Sequence, residues 1–191
     1  MILLRPIKTN LITQGFGENK SPLYIQWGML GHNGIDLSAQ DGEPIYWYGR
    51  DVEGMVLKNW IDDKGGLGVL ILTGEDGKHY VHRFWHLKSF ACQPGQVLNS
   101  GDLIGYADNT GYSTATHLHA FDIREVIKDE FGNWKTINED NGYKGSLNPT
   151  VWFQNMYIKD YMDMLKSQLS IIQTMINAFK VLISIRFYLK K

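Results

Sequence analysis

The chain has 191 residues, of which 43% are hydrophobic and 20% are charged, and its formal net charge is -1. This size fits one globular domain with an appendage, and a charge near zero gives no electrostatic reason to expect a nucleic-acid partner. Cys92 is the single cysteine, which excludes an internal disulfide and a thiolate zinc cluster. Any bound metal must therefore take nitrogen and oxygen ligands.

The N-terminus shows no secretion signal. Its apolar stretch is three residues long and ends at Arg5 and Pro6, whereas the apolar region of a signal peptide has about 7–15 residues. A substrate outside a membrane would then require another route of delivery, such as a virus particle or a lysis pore, unless a leader has been trimmed from the chain.

Residues 1–152 have the pattern of a mainly β domain. Short β-branched and aromatic runs alternate with turn dipeptides such as Asp41-Gly42, Asp76-Gly77 and Pro94-Gly95. This spacing predicts an antiparallel β-sandwich or barrel rather than βαβ units. Within it, Phe131-Gly-Asn-Trp134 predicts the turn of an inserted hairpin over residues 126–141.

Residues 153–191 are predicted to contain a long amphipathic C-terminal helix. Apolar residues recur there at alternating spacings of four and three, which is a heptad seam: Ile158, Met162, Leu165, Leu169, Ile172, Ile176, Phe179 and Ile183. About 30 helical residues would span roughly 45 Å, more than a small β-domain can cover. We therefore expect the helix to form a homo-oligomer, as in a coiled coil, or to dock onto a larger assembly.

The end of this helix is also basic, which leaves a membrane surface as the less favoured partner. Residues 164–191 hold no acidic residue and five basic ones: Lys166, Lys180, Arg186, Lys190 and Lys191. Polar residues interrupt every window of about 20 residues, so the helix is not expected to span a bilayer.

Three short motifs carry side chains suited to metal chemistry. Gly31-His32-Asn33-Gly34-Ile35-Asp36-Leu37 holds a histidine and an aspartate at an even spacing, which places both on one face of an extended chain. His117-Leu118-His119 likewise directs two imidazoles to one side of a strand. Phe84-Trp85-His86-Leu87 places another histidine, His86, at an apolar, half-buried strand end. Burial of an imidazole ring without a hydrogen-bond partner costs free energy there. Taken alone, the first and third motifs are better explained by a structural role, and the second is explained equally well by a structural role and by metal binding.

Taken together, the motifs bring four histidines and one aspartate to one predicted cleft. Two imidazoles and one carboxylate on zinc leave a fourth position open for water, which is the arrangement of a catalytic zinc. Two histidines then remain for acid–base work. His79 and His82 are interpreted as surface or structural histidines.

The order of these blocks resembles that of the lysostaphin-type, or LytM-like, zinc endopeptidases. G-H-x-G-x-D-L is followed by W-H-L, by P-G-Q-x-L-x-x-G-D-x-I-G, and then by T-G-x-S-T and H-L-H, over roughly residues 13–124. The resemblance implies one zinc ion per chain on His32, Asp36 and His119, with His86 and His117 as catalytic residues. His86 matches better than His82 because Leu87 follows it and Pro94-Gly95 lies eight residues on.

The resemblance also implies the reaction and its setting. It predicts that zinc-activated water, assisted by two histidines, hydrolyses peptide stems or cross-bridges of peptidoglycan in the extracellular or periplasmic cell wall. Relatives of this type occur in bacteriophage lysins and tail proteins, a setting compatible with the N-terminus. Five aromatic residues in loop or turn contexts are predicted to line the substrate groove: Tyr24, Trp27, Trp47, Trp60 and Tyr112.

The family pattern is altered just after the last histidine. Ala120-Phe121 follows His119 where the family has an aromatic residue directly, which predicts a one-residue bulge. A second hypothesis is a catalytically inactive binding or activating module, or a structural part of a larger phage assembly. We favour the enzyme, because every ligand and both accessory histidines are present.

Overall fold

The computed structural model describes residues 1–188, and of residues 184–188 it describes the backbone alone. Lys190 and Lys191 of the predicted basic helix end lie outside the described residues, as does the side chain of Arg186. The chain divides into two compact units, one of Met1–Ile158 and one that begins at Lys159.

Within the described residues the first unit is built from thirteen strands and one short helix. The strands are β1 (Leu3–Arg5), β2 (Ile12–Gln14), β3 (Ile35–Ser38), β4 (Pro44–Tyr46), β5 (Gly54–Asp62), β6 (Gly66–Glu75), β7 (Lys78–Phe90), β8 (Val97–Leu98), β9 (Leu103–Ala107), β10 (His117–Lys128), β11 (Trp134–Thr136), β12 (Ser146–Leu147) and β13 (Phe153–Tyr157). Helix α1 spans Leu23–Gln26, and a 3-10 turn spans Pro149–Val151.

One large antiparallel sheet organises the unit. Its main path is β2-β3-β10-β7-β6-β5-β8, with β11 and β12 pairing to β10, and with β9 pairing to β4 and β7. The sheet is open rather than closed into a barrel, and β1 pairs in parallel with β13 in a small second sheet. The mainly β, antiparallel class predicted from the turn spacing is confirmed.

The alternation of strand residues gives the large sheet two different faces. In β7, Tyr80 and Phe84 point into the main core, and in β10, Leu118 and Ile123 do the same. Val81 and Trp85 point to the other face and join Leu70, Leu72 and Val126 in a second apolar cluster. The side chains of β7 and β10 on this second face form the floor on which the site described below is built.

A bulge in β10 keeps polar side chains on that floor. The pairing of β10 with β7 changes register between His119 and Asp122, and Phe121 has a φ of 59°. The extra residue lets both Ala120 and Phe121 enter the core, where Phe121 stacks on Tyr48 at 4.6 Å. The bulge predicted just past His119 is confirmed.

β11 returns along the end of β10 as a hairpin. Val126 pairs with Thr136 and Lys128 with Trp134, so the turn lies at residues 129–133. Asp129 accepts hydrogen bonds from the backbone amides of Phe131 and Asn133 and holds this turn.

Apart from its first residue, helix α2 (Ile158–Tyr188) makes up the described part of the second unit. It begins five residues later than the segment predicted from residue 153, because Phe153–Tyr157 is a strand paired with β1. The register of that pairing joins Leu3 to Phe153 and Arg5 to Tyr157, a long-range contact with no trace in local periodicity. Among the described residues, no helix is both long enough and apolar enough to cross a membrane.

Much of the apolar seam of α2 is exposed. Leu169 is 67% and Phe179 is 64% exposed, and Ile172 and Ile176 are also largely accessible. Such a contiguous apolar surface is unusual on a protein that has no partner for it.

Candidate metal centre and active site

Two neighbouring strands and one turn bring the three predicted ligands together. Asp36 lies in β3 directly opposite His119 in β10, so the strand pairing itself aligns their side chains. His32 lies in the turn before β3, where its backbone N–H donates to the carbonyl of Glu18. This turn needs glycine at position 31, because a Cβ there would lie 2.4 Å from the carbonyl oxygen of Gly17.

The ligand atoms form a compact triangle. His32 Nε2 lies 2.9 Å from His119 Nδ1 and 3.1 Å from Asp36 Oδ1, and His119 Nδ1 lies 3.0 Å from Asp36 Oδ1. Ligand atoms of a tetrahedral zinc site are roughly 3.3 Å apart, given metal–ligand distances of about 2.0 Å. The spacing and the donor set, two nitrogens and one oxygen, both fit a zinc ion.

The charge distribution within the triangle suits a cation. Burial alone would raise the pKa of Asp36, but its hydrogen bonds with His119 and His32 outweigh this and hold the pKa well below its usual range. Burial lowers the pKa of His119. An ionised carboxylate beside a neutral imidazole is the state in which both groups bind metal.

A contact from the N-terminal segment orients His32. Its Nδ1 lies 3.2 Å from the carbonyl oxygen of Gly15. Because a carbonyl oxygen only accepts, Nδ1 is the protonated nitrogen, and Nε2 is left for the metal.

His86 and His117 stand beside the triangle with their rings 4.5 Å apart between centroids. His86 Nδ1 donates to the carbonyl of Thr110 at 2.6 Å, and His117 Nδ1 lies 2.8 Å from the carbonyl of Ala115. Each Nδ1 is therefore occupied, which leaves Nε2 of each ring for other partners. His117 Nε2 is 3.7 Å from Asp36 Oδ1, which places it at the edge of the metal centre.

The environment of His86 is unusual for a strand residue. Its φ is 62°, in a region that only glycine enters easily. Burial, followed by the charges of His117 and His119, lowers its pKa to about 4. Such strain is typical of functional positions, and here it turns the ring out of the strand's alternation and into the cleft.

The five residues line a single cleft of about 610 Å³. Three of the five aromatic residues predicted to line the groove are on its wall: Tyr24, Trp27 and Tyr112. The rings of Trp27 and Tyr112 meet edge to face at 5.9 Å, and Lys64 Nζ lies 5.0 Å from the Trp27 ring. These side chains form part of the wall of the cleft that holds the metal centre.

The other two predicted aromatic residues lie elsewhere. The assignment of Trp47 to the groove is wrong, because its ring is fully buried in the main core and its Nε1 donates to the carbonyl of Val52. Trp60 is in β5, packs against the second apolar cluster and is absent from the cleft lining. Both residues have loop-like sequence around them, and this did not indicate whether the ring would face the core or the cleft.

His79 and His82 are outside the cleft, in agreement with the interpretation from sequence. His82 is fully buried and lies 2.8 Å from both Tyr48 Oη and Thr73 Oγ1. The ring of His79 packs against that of Trp134, with 4.8 Å between the ring centroids.

A charged cluster on the cleft floor was not found from the sequence. Asp122 and Arg124 follow His119 on the same face of β10, and Arg83 lies opposite Asp122 on β7. After the bulge, polar residues 122 and 124 alternate with apolar residues 121 and 123. This alternation was the sequence signal that could have placed Asp122 and Arg124 on the cleft face of β10. These charges matter for ligand selection, as argued below.

Comparison with known proteins agrees with this geometry. The sequence profile of peptidase family M23 matches residues 30–133. This span contains the three predicted metal ligands and the two predicted catalytic histidines. Glycyl-glycine endopeptidase ALE-1 of Staphylococcus capitis is 34% identical over 113 residues, which are 58% of this chain and 29% of that protein. Peptidoglycan DD-endopeptidase ShyA of Vibrio cholerae is 34% identical over 88 residues, 46% of this chain and 19% of that protein. The chain thus matches less than a third of the length of these relatives.

Two solved structures share the fold. The catalytic domain of lysostaphin from Staphylococcus simulans superposes with a TM-score of 0.54 at 20% identity, over 74% of this chain and 90% of that one. A zinc-containing peptidase from Vibrio cholerae superposes with a TM-score of 0.52 at 27% identity, over 65% of this chain and 36% of that one.

Proposed function

The chain belongs to peptidase family M23, and from this we propose that it is a zinc-dependent endopeptidase that hydrolyses peptide stems or cross-bridges of bacterial peptidoglycan. The observation that carries the proposal is the triangle of ligand atoms on His32, Asp36 and His119, with two further histidines at its edge. Endopeptidases of glycyl-glycine and peptidoglycan bonds are among its relatives, which supports the substrate class.

In this proposal His32, Asp36 and His119 hold one zinc ion. The bound ion supplies polarisation of the scissile carbonyl and acidification of the attacking water. His117 Nε2, at the edge of the triangle, accepts a proton from that water or returns it to the leaving amine. His86 presents Nε2 beside His117, because Thr110 occupies its Nδ1 and fixes the tautomer.

The alternative, an inactive binding or activating module, is less well supported. Such a role does not require a complete ligand set, yet the three ligand atoms lie 2.9–3.1 Å from one another and both accessory histidines line the cleft. A structure selected for peptide binding alone gives no reason to retain the strained φ of His86.

Digestion of defined peptidoglycans tests the proposal. Zinc-loaded protein should release peptide fragments whose masses identify the cleaved bond, and His117→Ala should release none while it retains zinc. Wild-type protein that binds zinc stoichiometrically and leaves every wall preparation and cross-bridge peptide intact would favour the inactive module.

We further propose that helix α2 joins copies of the chain or attaches it to a larger assembly. Its exposed seam, which includes Leu169 and Ile172, is the supporting observation. Ile172→Glu should lower the mass of the full-length protein measured by light scattering, whereas Ser170→Glu, on an exposed polar position, should leave it unchanged. Delivery in a bacteriophage particle stays a prediction, since none of the described residues bears on it.

A further inference from the structure

Arg83 extends the floor of the cleft away from the metal centre. On β7, Trp85 pairs with His119, and Arg83, two residues earlier, pairs with Asp122. Two strand residues correspond to about 7 Å. Arg83 therefore lies on the same sheet face as the proposed ligand His119, one step further along the groove.

Asp122 is the obvious partner for Arg83, but its carboxylate is already occupied. Arg124 donates to it through Nε at 2.8 Å and through a second guanidinium nitrogen at 2.9 Å. Asn33 Nδ2 donates at 3.1 Å, and Ser146 Oγ also donates. A carboxylate accepts about four hydrogen bonds, so Asp122 neutralises Arg124 and has no acceptor site left for Arg83.

Arg83 is left with an unmet donor. Its Nε is buried and has no hydrogen-bond partner among the described residues. Burial lowers the pKa of Arg83 and outweighs the opposing effect of Asp122, although a guanidinium stays charged at neutral pH. Buried donors are almost always paired in native proteins, so this one indicates a missing partner.

Nearby carboxylates do not supply that partner. Asp62 Oδ1 accepts from the backbone amides of Lys64 and Gly65, and Glu139 acts on Arg83 through its charge alone. Outside the metal triangle, the lining of the whole cleft holds four basic side chains and two acidic ones, namely Lys64, Arg83, Arg124 and Lys144 against Asp62 and Asp122. The Nε atom itself is shielded from solvent, but Arg83 lines the cleft, so an anion from outside the chain can approach its side chain from there.

We propose that Arg83 is a carboxylate subsite of the cleft, which binds a free carboxylate of the peptide substrate about two residues from the scissile bond. The spacing of two residues follows from the distance of about 7 Å along β7 between Arg83 and Trp85, the residue opposite His119. An extended peptide advances about 3.3–3.6 Å per residue, so two of its residues cover this distance. A planar guanidinium matches a carboxylate with two parallel hydrogen bonds. This inference rests on the proposed peptidase function and specifies which peptides the site selects.

The test uses peptide substrates that differ in one group. Each cleavable peptide is prepared with a free α-carboxyl terminus or a carboxamide, and with an acidic side chain or its amide at neighbouring positions. Wild-type zinc-loaded protein should show a KM about ten- to a hundredfold lower for one of the two carboxylate forms, the range expected for a charge-assisted pair. A preference for the free α-carboxyl terminus would identify the chain terminus as the group that binds Arg83, and a preference for the acidic side chain would identify that side chain.

Substitution at residue 83 then assigns the preference. Arg83→Gln should abolish it with kcat unchanged, and Arg83→Lys should retain part of it, since lysine keeps the charge but not the planar pair. Lys144→Gln removes an equal charge from an exposed side chain in the same cleft and should keep the preference. The ratio of two substrates in one preparation does not depend on the folded fraction, so a partly unfolded variant still gives an answer.

Equal KM values for carboxylate and amide in wild-type protein, or an undiminished preference in Arg83→Gln, would overturn the subsite. Calorimetric binding of the same peptides to metal-free protein separates this from the parent proposal. Carboxylate-dependent binding that is lost in Arg83→Gln, without cleavage after zinc is added, would leave the subsite standing and remove the peptidase function. Cleavage without any carboxylate preference would do the reverse.

Discussion

Gly34 lies directly against the ring of His119. A Cβ at residue 34 would lie 2.8 Å from Nε2 of that ring and 2.6 Å from the carbonyl oxygen of Ala120. Neither group has room to move, because His119 is held by Asp36 and Ala120 is in the core. The glycine therefore sets how closely the turn that carries His32 approaches β10.

Gly34→Ala is expected to damage the metal centre and the fold together. Overpacking should destabilise the protein by about 1–3 kcal/mol, and displacement of the His119 ring should weaken zinc binding about 10–100-fold. Urea unfolding and zinc titration measure the two effects. Gly74→Ala is the control, because a Cβ there meets nothing closer than 3.7 Å; equal losses in both variants would contradict the argument.

Asp36→Ala is expected to abolish zinc-dependent stabilisation. A ligand present at a thousand times its Kd stabilises the folded state by about 4 kcal/mol, so zinc should raise the Tm of wild-type protein and leave that of the variant unchanged. Calorimetry with and without zinc checks this. Asp41, whose exposed carboxylate pairs with Lys88, provides the control: Asp41→Ala should keep the zinc-induced shift.

His117→Gln and His86→Gln are each expected to lower kcat while zinc content stays at the wild-type level. Loss of a positioned proton-transfer group reduces the rate about 10²–10⁴-fold. His79→Gln removes a histidine that packs on Trp134 outside the cleft and should leave kcat unchanged. Loss of zinc from His117→Gln would instead assign that residue to the metal.

His82 is expected to make the protein less stable in mild acid. Burial lowers its pKa to about 3 from an ordinary value of 6.5, so the unfolded chain binds this proton more readily than the folded one. The stabilising contribution is therefore complete above pH 6.5 and is lost as the pH falls towards 3, at about 1.4 kcal/mol per pH unit.

Comparison of wild-type protein with His82→Gln isolates this contribution. The difference between their free energies of unfolding should shrink as the pH is lowered from 6.5 to 5, because glutamine has no proton to take up. The groups of the metal centre titrate in both proteins and cancel in the difference. A difference that stays constant over this range would mean that His82 does not titrate as its burial requires.

Trp47→Ala and Trp27→Ala should separate a core residue from a groove residue. Trp47 is fully buried, and its truncation is expected to cost about 3–5 kcal/mol of stability. Trp27 lines the cleft, so Trp27→Ala should raise KM with a much smaller loss of stability. Thermal unfolding together with steady-state kinetics distinguishes the two outcomes.

The sequence by itself determined the mainly β class, the family and the bulge after His119. Each of these depends on local patterns, such as turn dipeptides, two-residue alternation and the spacing of short motifs, which survive in a linear reading. His32, Asp36, His86, His117 and His119 were also selected from such patterns, and the fold brings all five to one cleft. Alternation fixes which side chains share a face before any partner strand is known.

Tertiary structure alone decided what each face meets. Trp47 and Trp27 have similar sequence contexts, yet one ring fills the core and the other lines the cleft. Arg83 and Asp122 are 39 positions apart in the sequence and become neighbours only through the register of β7 with β10. Residues 153–157 form a strand because β1, at the other end of the chain, supplies its hydrogen bonds. Pairing between distant segments provides hydrogen-bond partners for backbone N–H and C=O groups and packs side chains in the core. Local periodicity does not specify which distant segment supplies either.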